Sequence, residues 1–149
     1  MRVVIAVGSN LGDRRDYIDR AIELLKNHLK IEAISTLIES EPVGGPEQGD
    51  YLNGVLLADT ELSPEQLMSE LLRVESELDR VRTVPNAPRT IDLDLIDYEG
   101  VTLSSPSLTL PHPRAHLRHF VITPWLEIDP QGILVGHGSL GEIVAANGW

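Results

Sequence analysis

Apolar residues along this chain switch between two spacings, and the switches mark out its elements. Val3 to Val7 is an unbroken apolar run stopped by Gly8, which predicts a buried strand. Asp13 then stands where a helix N-cap belongs. Ile18, Ala21, Ile22, Leu25 and Leu29 follow every three or four residues, the stripe of an amphipathic helix. Ile31 to about Glu41 is rich in β-branched and aliphatic residues and predicts a second strand. EPVGGPEQGD (Glu41 to Asp50) predicts a loop, and Leu52 to Ala58 a third strand. SPEQ at Ser63 to Gln66 is a helix start in three parts. Ser63 caps, Pro64 takes the first helical position and Gln66 completes a capping box, ahead of Leu67, Leu71, Val74 and Leu78 on one face.

The spacing then returns to two. VRTVPNAP (Val81 to Pro88) is an irregular loop stiffened by its prolines, and RTIDLDLIDYEG (Arg89 to Gly100) opens a strand. Ile91, Leu93 and Leu95 fall on one side of it, Asp92 and Asp94 on the other. The order strand, helix, strand, strand, helix, strand is the βαββαβ order of a ferredoxin-like α+β sandwich, an antiparallel sheet with its helices on one face. Beyond it, Glu99-Gly100 is expected to turn the strand back into a hairpin with Val101 to Leu103. A helix from Arg114 to about Val121 and a last one after Leu140 complete the pattern. There is no internal repeat, low-complexity segment or long linker, and 149 residues suit a single domain over 1–149.

Composition narrows the function. The chain carries net charge -11, which disfavours broad binding to nucleic acid or anionic membranes. No apolar run approaches the ~20 residues of a membrane span. GSNLGDRRD cuts the first apolar stretch short of a signal peptide. The absence of cysteine fits a reducing cytoplasm. With every apolar stripe assigned to a core, a monomer is expected. Against the acidic background, five arginines (Arg80, Arg82, Arg89, Arg114, Arg118) gather between positions 80 and 118 with four acids. Arginine grips phosphate oxygens with paired donors, so this cluster points to a phosphate-bearing substrate.

Asp92 and Asp94 sharpen that reading. Residues i and i+2 of a strand lie about 6.6 Å apart with parallel side chains. Two carboxylates so placed repel unless a cation or proton intervenes. Magnesium takes a few carboxylate oxygens and leaves its other positions to water and phosphate, and two such ions clamp a transferring phosphoryl group. GSNLGD lacks the lysine of a phosphate loop and reads as a tight strand-to-helix turn. In HPRAHLRH, Pro113 keeps His112 outside a helix that would carry His116 and His119. That leaves zinc short of ligands and His112 a phosphate contact beside Arg114 and Arg118. Tyr51 and Phe120 are either core and loop cover or two faces of a slot for a flat heterocycle whose edge Asn53 reads. The spacing leaves both open.

VGSNLGD (Val7 to Asp13), YLN (Tyr51 to Asn53), PRTIDLDLI (Pro88 to Ile96) and LPHPRAHLRHF (Leu110 to Phe120) together resemble the 6-hydroxymethyl-7,8-dihydropterin pyrophosphokinase family of folate biosynthesis. The resemblance spans nearly the whole chain in order. It implies the ferredoxin-like fold and transfer of pyrophosphate from Mg-ATP to the pterin hydroxymethyl group, with release of AMP. By position it implies that Asp92 and Asp94 hold two magnesium ions. Arg82, Arg89, His112 and Arg118 would meet the phosphates or ribose of ATP with Arg80 close by, and Glu75, Leu95 and Thr109 would line the adenosine. Tyr51 and Phe120 would sandwich the pterin, its edge read by Asn53 and the Ser40–Gly44 backbone, Val43 included. Arg82 and Arg89 would serve the charge that builds towards the leaving AMP. The Val81 to Pro88 loop is shorter than in the best-known members and lacks their tryptophan. Two rival readings are a magnesium-dependent nucleotidyltransferase, since paired acids on this fold also suit attack at the α-phosphorus, and a non-catalytic small-molecule-binding regulatory domain, a common use of the fold that needs neither metal-bridging acids nor an arginine cluster.

Overall fold

A computed structural model of the chain describes residues 1–80 and 86–149. Its centre is β1 (Arg2–Ser9), whose Val3, Val4, Ile5 and Val7 are at most 3% exposed, as an unbroken apolar run requires. After it come α1 (Arg14–Leu25), β2 (Lys30–Ile34), β3 (Ile38–Ser40), β4 (Tyr51–Asp59), α2 (Pro64–Glu77) and β5 (Asp92–Tyr98). The sheet order is β2-β4-β1-β5, with β3 also on β4, and every pair is antiparallel. This is the βαββαβ topology expected from the pattern. Asp13 caps α1 through the Asp16 N–H, and the Ser63–Gln66 capping box and Pro64 start α2 as read.

Two apolar layers sandwich the sheet. On one face Val3, Ile5 and Val7 meet Ile18, Ala21, Ile22 and Leu25 of α1 and Leu67, Leu71 and Val74 of α2. The other face is covered by the C-terminal segment: β6 (Leu103–Ser104), β7 (Thr109–Leu110), a 3-10 turn (Ala115–Leu117), α3 (His119–Ile128), β8 (Ile133–Leu134), β9 (Gly138–Ser139) and α4 (Leu140–Asn147). Here Val4, Val55, Leu57 and Ile96 pack on Val121, Ile122, Trp125 and Ile143. Among the described residues no helix is long and apolar enough to cross a membrane.

Three expectations change. The second strand is two strands, because side chains take over the bonding at 35–37. The Val55 N–H goes to Ser35 Oγ at 2.9 Å, and Thr36 gives its N–H and hydroxyl to the Glu127 carboxylate. The expected hairpin from β5 into Val101–Leu103 does not form. Gly100, at φ +73, closes a turn there, but Leu103–Ser104 pairs with Thr109–Leu110 instead. Ser105 Oγ binds the Leu108 N–H to make that tighter hairpin, and the His112 N–H takes the Ile96 carbonyl on the outer edge of β5. Finally, the helix expected from Arg114 is a 3-10 turn and a later helix, separated by an extended Arg118 (φ -115, ψ 100).

A bulge on β5 also matters. Val4 pairs with Asp97 and Ile5 with Leu95, so Ile96 is an extra residue. Tyr98, not Asp97, therefore returns to the apolar layer of α1 and α2, and its hydroxyl reaches the Leu62 carbonyl at 2.6 Å. Trp125, 1% exposed, fastens α3 to the sheet face that carries the acids. Trp125→Ala is expected to cost about 3–5 kcal/mol in urea unfolding. Ser63→Ala, which removes only a cap, should cost about 1 kcal/mol.

Candidate active site

Asp92 and Asp94 stand at the start of β5, with Leu93 and Leu95 locked into the core behind them. Across the sheet they face small residues, Asp92 opposite Gly8 and Asp94 opposite Ala6. Gly8 lies in turn opposite Asn53 on β4. A Cβ on Gly8 would come within 3.0 Å of Asn53 Oδ1 and 3.4 Å of Tyr51, so glycine keeps open the floor between Asn53 and Asp92. Asn53 is itself oriented by a hydrogen bond from its Nδ2 to the Ser40 hydroxyl oxygen.

Asp92 is gripped twice, Arg80 Nη1 to Oδ1 and Arg89 Nη1 to Oδ2, each at 3.1 Å. Arg80 is buried and also clasps the buried Glu75, whose carboxylate accepts the Leu93 N–H at 2.9 Å. Asp79, at φ +66, turns the chain so that Arg80 folds back onto the end of α2. Among the described residues Asp94 has one distant ion-pair partner, Arg118 Nη1 at 3.8 Å. Burial, and then the negative charge of Asp92, push its carboxyl up to about 7. Arg118 also lies 5.8 Å from the centroid of the Phe120 ring. His112 accepts the Arg114 N–H at Nδ1, so its proton belongs on Nε2. Burial, and then the Arg118 charge, push its imidazole down to about 4, leaving it a neutral donor at physiological pH.

Two pockets meet at these acids. The first holds about 470 Å³ of space between Tyr51, Asn53, Ser40, Val43, Phe120, Arg89, Arg118 and Asp92. The second, about 610 Å³, is lined by Asp94, Leu95, Thr109, His112, Met68 and the Ser105–Leu108 turn. Asp92 thus belongs to one pocket and Asp94 to the other. Of the residues singled out from sequence, Gly44 adjoins the first pocket without lining it; its φ of +70 shapes the loop that does. Glu75 lines neither of these two pockets: its buried carboxylate pairs with Arg80 and accepts the Leu93 N–H. Arg80, 6% exposed at its side chain, works from beneath rather than from a pocket wall. Arg82 lies outside the described residues.

Asn86, Pro42, Met68 and the Ser105–Leu108 turn were not foreseen as individual lining residues. Asn86, Pro42 and that turn lie in proline-bearing loops, whereas Met68 lies on α2. The histidines diverge: His112 faces the second pocket, His116 stacks on His137 at 3.8 Å and His119 lies edge-on to Phe120. Among the described residues no group of three or more His, Cys, Asp or Glu converges. A cation at Asp92 and Asp94 would draw its other ligands from water and substrate. An all-oxygen pair with one carboxyl held near neutrality by burial and by its twin fits magnesium.

A model of the 7,8-dihydro-6-hydroxymethylpterin-pyrophosphokinase family matches residues 4–130. A 2-amino-4-hydroxy-6-hydroxymethyldihydropteridine pyrophosphokinase of Aquifex aeolicus is 42% identical over 131 residues, 88% of this chain and 82% of that protein. Its namesake in Bacillus subtilis is 38% identical, over 85% of this chain and 77% of that one. A solved HPPK-DHPS chain in complex with substrates superposes with a TM-score of 0.76 at 12% identity, which shows the shared fold. That match takes in 98% of this chain but 43% of the solved one.

The raised Asp94 pKa has a measurable sign. A carboxyl whose folded pKa lies above its unfolded value favours the fold while protonated. Asp94 therefore loses stability for the metal-free protein as pH climbs from about 4 through about 7. Asp94→Asn removes that loss. In metal-free thermal melts the variant should gain on the parent between pH 5 and pH 8, and a pH-independent difference would contradict the crowded-carboxylate account.

Proposed function

This chain belongs to the 7,8-dihydro-6-hydroxymethylpterin-pyrophosphokinase family, and on that footing we propose that Asp92 and Asp94 hold two magnesium ions between ATP and a reduced pterin. The reaction transfers pyrophosphate from ATP to 6-hydroxymethyl-7,8-dihydropterin in folate biosynthesis. The pterin hydroxyl oxygen bonds to the β-phosphorus, the bond from that phosphorus to the α-phosphate oxygen breaks, the hydroxyl proton departs and AMP leaves. The observation that carries the site assignment is the junction: one strand puts Asp92 on a pocket walled by Tyr51, Asn53 and Phe120, and Asp94 on a pocket walled by Thr109 and His112.

In this reading the pterin enters the first pocket between Tyr51 and Phe120. Its polar edge meets Asn53 and the backbone of Ser40, Val43 and Gly44. The nucleotide lies in the second pocket, its adenosine against Leu95 and Thr109, with the Nε2–H of His112 donated to ribose or phosphate. When bound, the ions neutralise phosphate charge and lower the pKa of the attacking hydroxyl. The protein contributes position and charge, which phosphoryl-type transfer mainly asks for. Arg89 spends a donor on Asp92, Arg118 pairs with Asp94 only by charge at 3.8 Å, and both have donors left for phosphate oxygens. Arg82 adds to them. Glu75 and Arg80 act from below, holding Asp92 in place. The loop at 41–50 closes over the ligands and excludes water. The chain works as one domain, 1–149, a cytoplasmic monomer whose partners are small molecules.

Incubation with ATP, magnesium and reduced hydroxymethylpterin should release AMP; released pyrophosphate would instead mean attack at the α-phosphorus. Asp92→Asn and Asp94→Asn should each fold and lose several orders of magnitude in turnover. Near-normal rates at saturating magnesium would overturn the two-metal assignment. Arg89→Ala should lower kcat by about 10²–10³, the usual effect of removing a donor aimed at developing charge. A kcat/KM within about twofold of the parent would remove Arg89 from that role.

A further inference from the structure

Asn10 sits just past β1 in the GSN turn, 7% exposed, with both its amide donors and its amide oxygen engaged. Oδ1 accepts the Arg89 N–H at 2.8 Å, while Nδ2 donates to Gln48 Oε1 at 2.7 Å and to the Gly49 carbonyl at 3.0 Å. Its own backbone N–H donates to the Arg89 carbonyl at 3.0 Å. Arg89 is therefore bracketed at both its N–H and its carbonyl, three residues before the Asp92 it pairs with. Gln48 carries the chain of bonds onward, from Nε2 to the Asn86 carbonyl at 2.8 Å. Gly45 presses so close to Asn86 that a Cβ would come within 2.3 Å of that carbonyl. The loop at 41–50, whose Pro42 and Val43 wall the first pocket, is thus fastened to Asn10 and to Asn86, which lines the same pocket. Only a primary amide fits: the Arg89 N–H needs an acceptor, and Gln48 and Gly49 need donors.

We infer that Asn10, with Gln48, is a positioning residue that ties the wall of the pterin pocket to Arg89, so that seating the ring and orienting the arginine are one event. The proposal deepens the reaction assigned above and rests on it.

The test compares the parent with Asn10→Ala, Asn10→Asp, Gln48→Ala and the Asn10→Ala/Gln48→Ala double variant. Each is measured for kcat, for both KM values, for melting temperature and for calorimetric affinity for the reduced pterin beside magnesium and a non-hydrolysable ATP analogue. Asn10→Ala should lower kcat and pterin affinity by roughly tenfold or more each, and Gln48→Ala should weaken pterin binding by roughly three- to tenfold with kcat changed less than about threefold. Asn10→Asp keeps the acceptor for Arg89 and loses the donors, so it should resemble Gln48→Ala. The double variant should be no worse than Asn10→Ala within about threefold, because both changes cut one chain of bonds. Effects that multiply would overturn the tie. So would an Asn10→Ala protein that melts earlier yet keeps the pterin affinity and KM of the parent, the mark of a merely structural turn. A parent that forms no AMP would overturn the reaction, while the pterin affinities would still judge the tie.

Discussion

Two carboxylates on the same face of one rigid strand repel each other, and the rest of this site is arranged around that repulsion. Leu93 and Leu95 bury the other face of β5, so neither acid can swing away by tilting the strand. The relief on offer is uneven. Among the described residues Asp92 has two arginines at 3.1 Å, one of them buried and braced by Glu75, and Asp94 has one at 3.8 Å. Burial, and then the charge of Asp92, hold the Asp94 carboxyl near neutrality. A divalent cation held by the two acids would offset both costs at once, at the place where the two pockets meet.

The βαββαβ unit and the C-terminal segment divide the work. The former supplies the acids, Asn53, Tyr51 and the glycine-floored gap between them, all held by strand pairing. The latter covers the sheet face opposite α1 and α2 and brings up His112, Arg118 and Phe120. Its irregularity is useful: Arg118, extended between a 3-10 turn and α3, is set against Asp94. A continuous helix from Arg114 would have given that position a helical backbone instead.

How far the sequence can be read follows from where each signal is local. β1, α1, α2 and β5 were legible because apolar period, caps and alternation are written within a few residues. The break at Ser35–Leu37 was not, since its cause is Glu127, far along the chain. The β6–β7 hairpin displaced the expected one because His112 competes for the edge of β5, again a distant partner. Glu75 sits beside Val74 on a helix that reads as amphipathic, and only the fold reveals that Arg80 returns to bury it. Asn10 looked like a turn residue and is a hub. The family motifs brought the acids, the arginines and the aromatics into one list, and geometry then separated those that face a pocket from those that hold others in place.

The central claim is that Asp92 and Asp94 gather paired divalent ions when nucleotide is bound. Manganese substitutes for magnesium and is paramagnetic, so titration followed by electron paramagnetic resonance, with a non-hydrolysable ATP analogue and reduced pterin present, counts the ions and senses their separation. The account predicts two manganese ions per chain with the spin coupling of neighbours about 3.5–4 Å apart, and loss of that coupled signal in Asp94→Asn. A single uncoupled ion, or a coupled pair that survives the substitution, would contradict it.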